Sequence, residues 1–291
     1  MKTIVTHNGS FHSDDVFAVA TLQLVYGVDS VTVTRTRDEA VIAVADIVVD
    51  VGGVYDVVAN RFDHHQIGAP VRENGVAYAA FGLIWKMYGK EVSGSVGVAS
   101  EIERALVVPI DAGDTGASLY TLNDANQKPF ELYQVIRSYH PAWGSAESKD
   151  DAFERAVEFA RGLLSRLITK KKAEVEMQKV VTEVYEASSD KRCLEFSVPV
   201  SSALCIDLPD VEVVVMPNDP AVTTDWTATT IRKEHTGFEA RVFFPESWRG
   251  LGGAELAIAS GIPDAVFCHK GGFFFVAKSR EGALRAAEMA R

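Results

Sequence analysis

The sequence has little of what marks a secreted, membrane-embedded or nucleic-acid-coating protein. Its three cysteines (Cys193, Cys205 and Cys268) are widely spaced and form no C-x-x-C pair, so they indicate neither a disulfide framework nor a thiolate zinc site. No run approaches ~18 apolar residues, and polar residues interrupt the N-terminus too early for a signal peptide. Lys and Arg number 29 against 40 Asp and Glu, a formal net charge of −11. We therefore expect a cytoplasmic protein with no membrane partner and no generally basic nucleic-acid coat.

The first part of the chain alternates short apolar runs with a helical pattern. Residues 2–6, 30–36 and 45–51 predict strands, and residues 14–26 predict a helix between the first two strands. Strands separated by helices imply parallel pairing. We therefore predict an α/β fold with a mainly parallel sheet flanked by helices.

The pattern changes in the second half of the chain. Residues 147–188 are helical in spacing and contain no proline, which predicts either two helices or one long connecting helix. Later segments are rich in β-forming residues: 193–200, 211–216, 227–233, 239–244 and 265–277. This change predicts two domains, residues 1–190 and a smaller α/β domain of residues 191–291.

Histidines are concentrated near the N-terminus, beside acidic residues. Four of the seven lie in the first 65 residues: His7, His12, His64 and His65. The loop after the first predicted strand reads H-N-G-S-F-H-S-D-D and leads into a helix that Ser13 or Asp14 could cap. A polar loop with a helix cap would explain Ser13 and one aspartate but not two histidines. We therefore favour a functional role for His7, His12 and Asp14.

An acidic residue also ends the next buried strand. Asp50 stands where ligands of open α/β sheets gather, at the carboxyl end of a strand. Asp63-His64-His65 then places one carboxylate and two imidazoles in consecutive positions. Such donors suit Mn, Fe, Co or Zn, and bridging carboxylates allow two ions in one site. Alone, the triplet would be a polar turn, but after an H-x(4)-H-x-D segment and an Asp-ended strand it predicts a metal site.

A third acidic group contains two aspartates that the sequence does not rank. Asp111 and Asp114 lie in a glycine-containing segment that predicts a turn. Turn aspartates often bind their own backbone, so a ligand role and a local structural role both stay open for each residue.

The second half of the chain contains two concentrated polar segments. Arg249-Gly250 and His269-Lys270 could contact phosphate, because arginine binds phosphate oxygens bidentately and lysine adds a point charge. The alternative for the second segment is a hairpin whose Gly271-Gly272 turn joins two apolar strands.

In combination, these segments resemble a known family. The segments are H-N-G-S-F-H-S-D at 7–14, D-V-G at 50–52, R-F-D-H-H-Q at 61–66, I-D-A at 110–112 and S-G-I-P at 260–263. They are similar to signature segments of the melanocyte-proliferating-gene family of metal-dependent hydrolases, a branch of the DHH phosphoesterase superfamily. The resemblance implies a DHH-type catalytic domain with two divalent cations and a C-terminal substrate-binding domain that closes over the substrate. It also implies phosphodiester hydrolysis, as a 3′-5′ exonuclease acting on RNA or short oligonucleotides.

The resemblance implies roles for single residues. Metal ligands would come from His7, His12, Asp14, Asp50, Asp63, His64, Asp111 and Asp114, with Asp50 bridging. Asp111 fits the closer branch, and Asp114 fits the wider superfamily. The catalytic set would be Asp63, His64 and His65, and substrate contacts would come from Arg249, Gly250, His269 and Lys270. Many superfamily members have aspartate at the position of His12, so this chain should favour Mn²⁺, with Mg²⁺, Co²⁺, Zn²⁺ or Fe²⁺ as alternatives.

Two other functions stay open at this point. A small-phosphate hydrolase of the pyrophosphatase or dinucleotide phosphodiesterase type would share the metal cluster. A non-catalytic regulatory protein would use it as a structural or sensory metal site. The acidic excess favours a short substrate end held by metals and a few basic residues, and the sequence leaves a homo-oligomer open.

Overall fold

The computed structural model describes residues 1–122 and 127–291, and it confirms the predicted α/β class. Two compact units divide the chain, Met1–Ala173 and Glu174–Arg291. The segment predicted as one or two helices is a single helix, Lys149–Ala187. The domain boundary at residue 190 stays a prediction.

The first unit is built on a mainly parallel five-stranded sheet, as the sequence predicts. Its strands are β1 (Lys2–Thr6), β2 (Val31–Arg35), β3 (Ile47–Val49), β4 (Tyr55–Asp56) and β5 (Arg61–Phe62). Their order is β2-β1-β3-β5-β4, and within the described part of this sheet only the β4–β5 pair is antiparallel. Strand β3 is completely buried, as expected of an apolar strand in a covered sheet.

Seven α-helices lie wholly or partly in this unit among the described residues. They are α1 (Ser13–Tyr26), α2 (Glu39–Val44), α3 (Ala80–Ser93), α4 (Val96–Ile102), α5 (Val108–Thr115), α6 (Leu132–Arg137) and α7 (Lys149–Ala187), and α7 continues into the second unit. The first half of α1 is buried on all sides, and α1 packs against α3. The loop that enters α1 is therefore anchored in the interior of the unit.

A widened helical turn joins α4 to α5 without a loop. Residues Glu103–Val107 form a π-helical turn. Pro109 follows in the first turn of α5. Proline has no N–H to donate, and in a regular α-helix its ring would clash with the carbonyl group of Ala105, so the wider turn relieves this conflict. Helix α5 then ends at Gly116, whose φ of +78° is left-handed.

The second unit contains another five-stranded sheet. Its strands are β6 (Cys193–Glu195), β7 (Val213–Pro217), β8 (Trp226–Thr230), β9 (Ala265–Cys268) and β10 (Phe274–Ala277), in the order β6-β7-β8-β10-β9. The β6–β7 pair is parallel, and the other pairs are antiparallel. This unit also contains helices α8 (Gly253–Ser260) and α9 (Arg280–Met289), the end of α7, and two short 3-10 helices, Ser202–Cys205 and Glu246–Trp248.

One predicted β segment in this unit is wrong. Residues 239–244 form no strand, and Ala240 makes a single isolated bridge with Arg232. The backbone of Phe243 instead exchanges two hydrogen bonds with Arg291, and the N–H of Phe244 donates to Gly272. These hydrogen bonds to Arg291 and to Gly272 satisfy backbone groups of the segment without the pairing of a β-strand.

No helix within residues 1–122 and 127–291 combines the length and the apolar character needed to cross a bilayer.

Candidate metal centre

The candidate site lies at one edge of the first sheet. Strands β1, β3 and β5 are neighbours, and His7, Asp50 and Asp63 directly follow their carboxyl ends. Because parallel strands end at the same edge, the three loops meet. The sequence order of the motifs thus becomes a spatial cluster.

His7 faces two carboxylates from the interior of this cluster. Its Nδ1 lies 3.0 Å from the carbonyl oxygen of Asn8. A carbonyl oxygen only accepts, so this contact places a proton on Nδ1 and leaves the lone pair of the neutral ring on Nε2. Nε2 lies 3.2 Å from Oδ2 of Asp50 and 3.3 Å from Oδ2 of Asp15. An imidazole lone pair that faces carboxylates offers the nitrogen and oxygen donors that bind a cation.

His64 occupies the corresponding position on the other side of Asp50. Its Nε2 lies 3.1 Å from Oδ1 of Asp50, 3.4 Å from Oδ2 of Asp114 and 3.6 Å from Oδ2 of Asp14. His12 lies beside them, with Nδ1 3.7 Å from Oδ1 of Asp114. One oxygen of Asp50 therefore faces His7 and the other faces His64.

Among the described residues, three sets of side chains each bring their potential ligand atoms within 4.8 Å of one another. They are His7, His12 and Asp50; Asp50, His64 and His65; and His12, Asp14 and Asp114. Asp50 belongs to two of the groups and His12 belongs to two. Shared members make the groups adjoining parts of one centre.

Buried atoms without hydrogen-bond partners test whether this centre fits cations. Within residues 1–122 and 127–291 they include Oδ1 of Asp14, Oδ2 of Asp15, Oδ1 of Asp50 and Nε2 of His64. An unsatisfied buried polar group costs ~1–3 kcal/mol, and more if it is charged. Divalent cations would satisfy these oxygen and nitrogen atoms together, so the donor set fits a metal centre.

The pKa directions in the cluster show how strongly its charges interact. Burial, followed by the charge of Asp50, raises the pKa of Asp14 well above its usual value. Burial also raises the pKa of Asp15 to about 7. Burial opposes ionisation of Asp50, but the close approach of the imidazole rings of His64 and His7 outweighs it and holds the pKa of Asp50 at about 2.

The histidines respond in the opposite sense. Burial alone would lower the pKa of His7 and of His64, but contact with Asp50 outweighs it and raises both values. The carboxylates thus favour the protonated histidines, just as they would favour a bound cation, because they are concentrated in a buried site.

The backbone of Asp50 adopts an uncommon conformation. Its φ is +55°, in the left-handed region that few non-glycine residues occupy. The N–H of Asp50 donates to the carbonyl oxygen of Phe62 on β5, which holds this conformation in place. Such strain persists where the surroundings impose it, and here it turns the carboxylate between the two histidines.

Asp63 organises its own turn. Oδ2 accepts from the N–H of Gly53 at 2.6 Å, and Oδ1 lies 2.8 Å from Nδ1 of His65. Oδ1 also accepts from the N–H groups of His64 and His65. Both carboxylate oxygens are thus occupied by the turn. The side chain of His65 is 63 % exposed, so its Nε2 edge is accessible.

The structure separates the two aspartates that the sequence could not rank. Asp111 is buried and belongs to none of the three ligand groups; it pairs with Arg72 at 2.7 Å and accepts from the N–H of Gly82 at 3.0 Å. Burial raises the pKa of Asp111 to about 6, against the opposing effect of Arg72. Asp114, one turn later on α5, lies beside His12 and His64.

The predicted substrate residues lie close together within the second unit. Nε of Arg249 donates to the carbonyl oxygen of Phe244, and Gly250 has a φ of +82°. His269 begins the turn between β9 and β10, where its Nδ1 accepts from the N–H of Gly271. Lys270 is the next residue of this turn. The hairpin alternative for this segment is therefore correct, and substrate binding by these residues stays a prediction.

Sequence reasoning missed Asp15 and misplaced the helix cap. The residue before α1 is His12, and Oδ1 of Asp15 accepts from the backbone N–H of His12 at 2.9 Å. The prediction that Ser13 or Asp14 caps the helix is therefore wrong, because both lie inside α1. Adjacent aspartates at a helix start point about 100° apart, so the sequence alone could not show that both face the cluster.

These features define an α/β protein with a histidine–aspartate centre at the carboxyl edge of a parallel sheet. The chain belongs to the MYG1 exonuclease family: the family model MYG1_exonuc, described as Uncharacterised protein family (UPF0160), matches residues 3–290. The resemblance to the melanocyte-proliferating-gene family is thereby confirmed, whereas membership of the DHH superfamily stays a prediction.

Similar proteins occur in bacteria and animals. The chain is 32 % identical to a MYG1 protein of Chlamydia pneumoniae over 296 residues, covering 99 % of this chain and 96 % of that protein. It is 29 % identical to the MYG1 exonuclease of Rattus norvegicus, covering 98 % and 83 %, and 28 % identical to that of Homo sapiens, covering 98 % and 84 %. A solved Vibrio pGpG-specific phosphodiesterase is 13 % identical, with coverage of 95 % and 92 % and a TM-score of 0.32, and no conclusion rests on it.

Proposed function

We propose that this chain is a metal-dependent phosphodiester hydrolase, a 3′-5′ exonuclease acting on RNA or short oligonucleotides. One observation carries the proposal: three histidines and three aspartates from separate segments converge, with unpartnered buried atoms facing one another. They are His7, His12, Asp14, Asp50, His64 and Asp114. The rat and human relatives are named exonucleases, which supports this activity over other uses of a metal centre.

Two divalent cations would be held by these six side chains. Asp50 would contact both, because its Oδ2 faces His7 and its Oδ1 faces His64. We assign the ligand role on α5 to Asp114 rather than Asp111, whose carboxylate already pairs with Arg72. The mixture of imidazole and carboxylate donors favours Mn²⁺ over Mg²⁺, with Co²⁺, Zn²⁺ and Fe²⁺ as alternatives.

When bound, divalent cations lower the pKa of a water molecule and offset charge on the phosphate oxygens. Hydrolysis then forms a bond from the water oxygen to phosphorus and breaks the bond to the 3′ oxygen, which takes up a proton. Asp63 binds the Nδ1–H of His65 and orients the ring, which leaves the lone pair on Nε2. His65 would accept on Nε2 the proton that the attacking water gives up, and the protonated ring would pass a proton to the leaving 3′ oxygen.

The test is hydrolysis of a 5′-labelled RNA oligonucleotide by purified protein in Mn²⁺. We expect a ladder that shortens from the 3′ end and is abolished by chelator. Asp50→Asn and His64→Ala should lose both bound metal and hydrolysis, and asparagine tolerates the left-handed backbone at position 50. Asp46→Asn is the matched control, since this exposed carboxylate lies at the opposite end of β3 and binds Thr3.

Parallel assays separate the other functions. Hydrolysis of pyrophosphate or a dinucleotide without hydrolysis of longer RNA would assign the chain to the small-phosphate hydrolases. Metal binding without hydrolysis of any of these substrates would favour a regulatory protein. RNA hydrolysis that survives Asp50→Asn or chelator treatment would refute the proposed metal mechanism.

A further inference from the structure

A cavity of about 440 Å³ adjoins the metal centre within the first unit. His12 and Asp114, two members of the centre, line it together with Tyr133, Arg137 and His140. Its volume lies within the ~300–1,000 Å³ typical of small-ligand sites. A substrate whose attacked phosphate lies at the centre would therefore have room to extend into this cavity.

The wall of the cavity is held by defined contacts. Nε2 of His140 donates to the carbonyl oxygen of Phe11 at 2.8 Å, and the two rings pack with their centroids 4.1 Å apart. The side chain of Gln134 accepts from the N–H of Glu131 at 2.7 Å and stabilises the start of α6. The α6 segment is thus tied to the loop that carries His12, which fixes the position of the cavity beside the centre.

Arg137 supplies the permanent positive charge among the residues that line the cavity. The side chain is exposed, and within residues 1–122 and 127–291 its guanidinium group makes no hydrogen bond or ion pair. A guanidinium group free of protein partners beside a cation-binding centre is suited to an anion, and phosphate is the anion that it binds bidentately.

Tyr133 lies one helical turn before Arg137 on α6. Residues four apart share one face of a helix, so the phenol ring and the guanidinium group line the same cavity. The ring is 43 % exposed. An exposed aromatic ring beside a phosphate-binding arginine is a surface on which a nucleotide base can stack.

We propose that Arg137 binds a phosphate of the oligonucleotide other than the one hydrolysed, and that Tyr133 packs against the adjoining base. This inference rests on the proposed function. The contact persists from bound substrate to transition state, so its loss should raise KM and leave kcat nearly unchanged. A substrate with a single phosphodiester and no neighbouring phosphate should not sense the change.

The experiment compares two substrates in Mn²⁺, a fluorescently labelled RNA pentamer and bis(4-nitrophenyl) phosphate. Arg137→Gln should raise KM for the RNA about tenfold, as expected for loss of a charge-assisted hydrogen bond, with kcat changed less than about twofold. Kinetics on bis(4-nitrophenyl) phosphate should be unaltered. Arg137→Lys should give an intermediate KM, because lysine keeps the charge but loses the bidentate geometry. Arg104→Gln is the matched control, since Arg104 is an exposed arginine of the same unit that pairs with Glu101.

Tyr133 gives a second measurement. Tyr133→Ala should raise KM for the RNA, whereas Tyr133→Phe keeps the ring and should behave as the native protein. Because Tyr133 and Arg137 are both exposed, these variants should fold normally, and their thermal melting is measured alongside the kinetics.

Each outcome decides a different point. If native protein hydrolyses both substrates and Arg137→Gln retains the native KM for RNA, the inference is overturned and the proposed function stands. Equal losses on both substrates would place Arg137 at the attacked phosphate and also overturn the inference. If native protein hydrolyses neither substrate, the proposed function fails and the inference fails with it.

Discussion

Replacing Asp111 by alanine should lower the stability of the fold and spare metal binding, whereas replacing Asp114 should remove metal binding and spare stability. Asp111 and Arg72 form an ion pair at 2.7 Å, with side chains 0 % and 6 % exposed. Removing one partner of a buried pair costs ~3–5 kcal/mol, since the other charge stays buried. Arg72 retains Glu103 at 3.1 Å, so the lower end of that range, about 3 kcal/mol, applies to Asp111→Ala.

Two assays on chelator-treated protein check this prediction. For a unit of this size about 3 kcal/mol corresponds to a melting temperature lower by ~6–12 °C. Asp111→Ala should show that decrease and still bind Mn²⁺ with native stoichiometry in a calorimetric titration. Asp114→Ala should melt within a few degrees of the native protein and lose Mn²⁺ binding.

The reverse result would refute the reasoning. If Asp111→Ala lost Mn²⁺ but kept its melting temperature, Asp111 would be a ligand and the ion pair with Arg72 incidental. Asp111→Asn provides an internal check, because its amide oxygen can still accept from the N–H of Gly82. It should therefore be less destabilised than Asp111→Ala.

Three further predictions concern packing, pH and metal. A Cβ atom at Gly82 would collide with Asp111 and Arg72, so Gly82→Ala should lower the free energy of unfolding. Gly97 is the control, because it is also helical but faces open space. Gly97→Ala should raise the free energy of unfolding by ~0.5–1 kcal/mol, measured by urea unfolding. The pKa values of His7 and His64 are raised, so protons compete with cations for these rings. Calorimetry should therefore show that the affinity for Mn²⁺ rises from pH 6 to pH 8 and that binding releases protons. An affinity independent of pH would contradict this. Mn²⁺ at ~100 times its Kd should stabilise the native protein by about 2.7 kcal/mol in thermal melts, and the same Mn²⁺ concentration should not stabilise the Asp50→Asn variant.

Much of the first sheet and its centre could be predicted because local patterns determined them. Apolar runs located β1 and β3, and the rule for parallel strands placed His7 and Asp50 at a common edge. The sequence also singled out His64, since its triplet follows an Asp-ended strand. Each of these inferences needed only the order of elements and the residue that ends each one.

The remaining features depend on geometry that no local pattern encodes. Asp14 and Asp15 are indistinguishable in the sequence, and their separate contacts follow from the orientation of α1. Arg137 has no motif around it, and its place beside His12 results from packing between segments distant in the chain. In the second unit, residues 239–244 have strand-forming side chains, but bonds to Arg291 decide their conformation.

The π-helical turn of residues 103–107 has a consequence for how this chain tolerates insertions and deletions. A π turn holds one residue more than an α turn in nearly the same rotation about the helix axis, so deleting one residue within 103–107 could close the helix to a regular form while Asp114 still faced His12 and His64. Such a one-codon deletion should keep Mn²⁺ binding and cost stability, because the ring of Pro109 would then meet the carbonyl group four residues earlier. Deleting Gly113 from the regular part of α5 should instead turn Asp114 by ~100° and abolish Mn²⁺ binding, although every ligand would still be encoded.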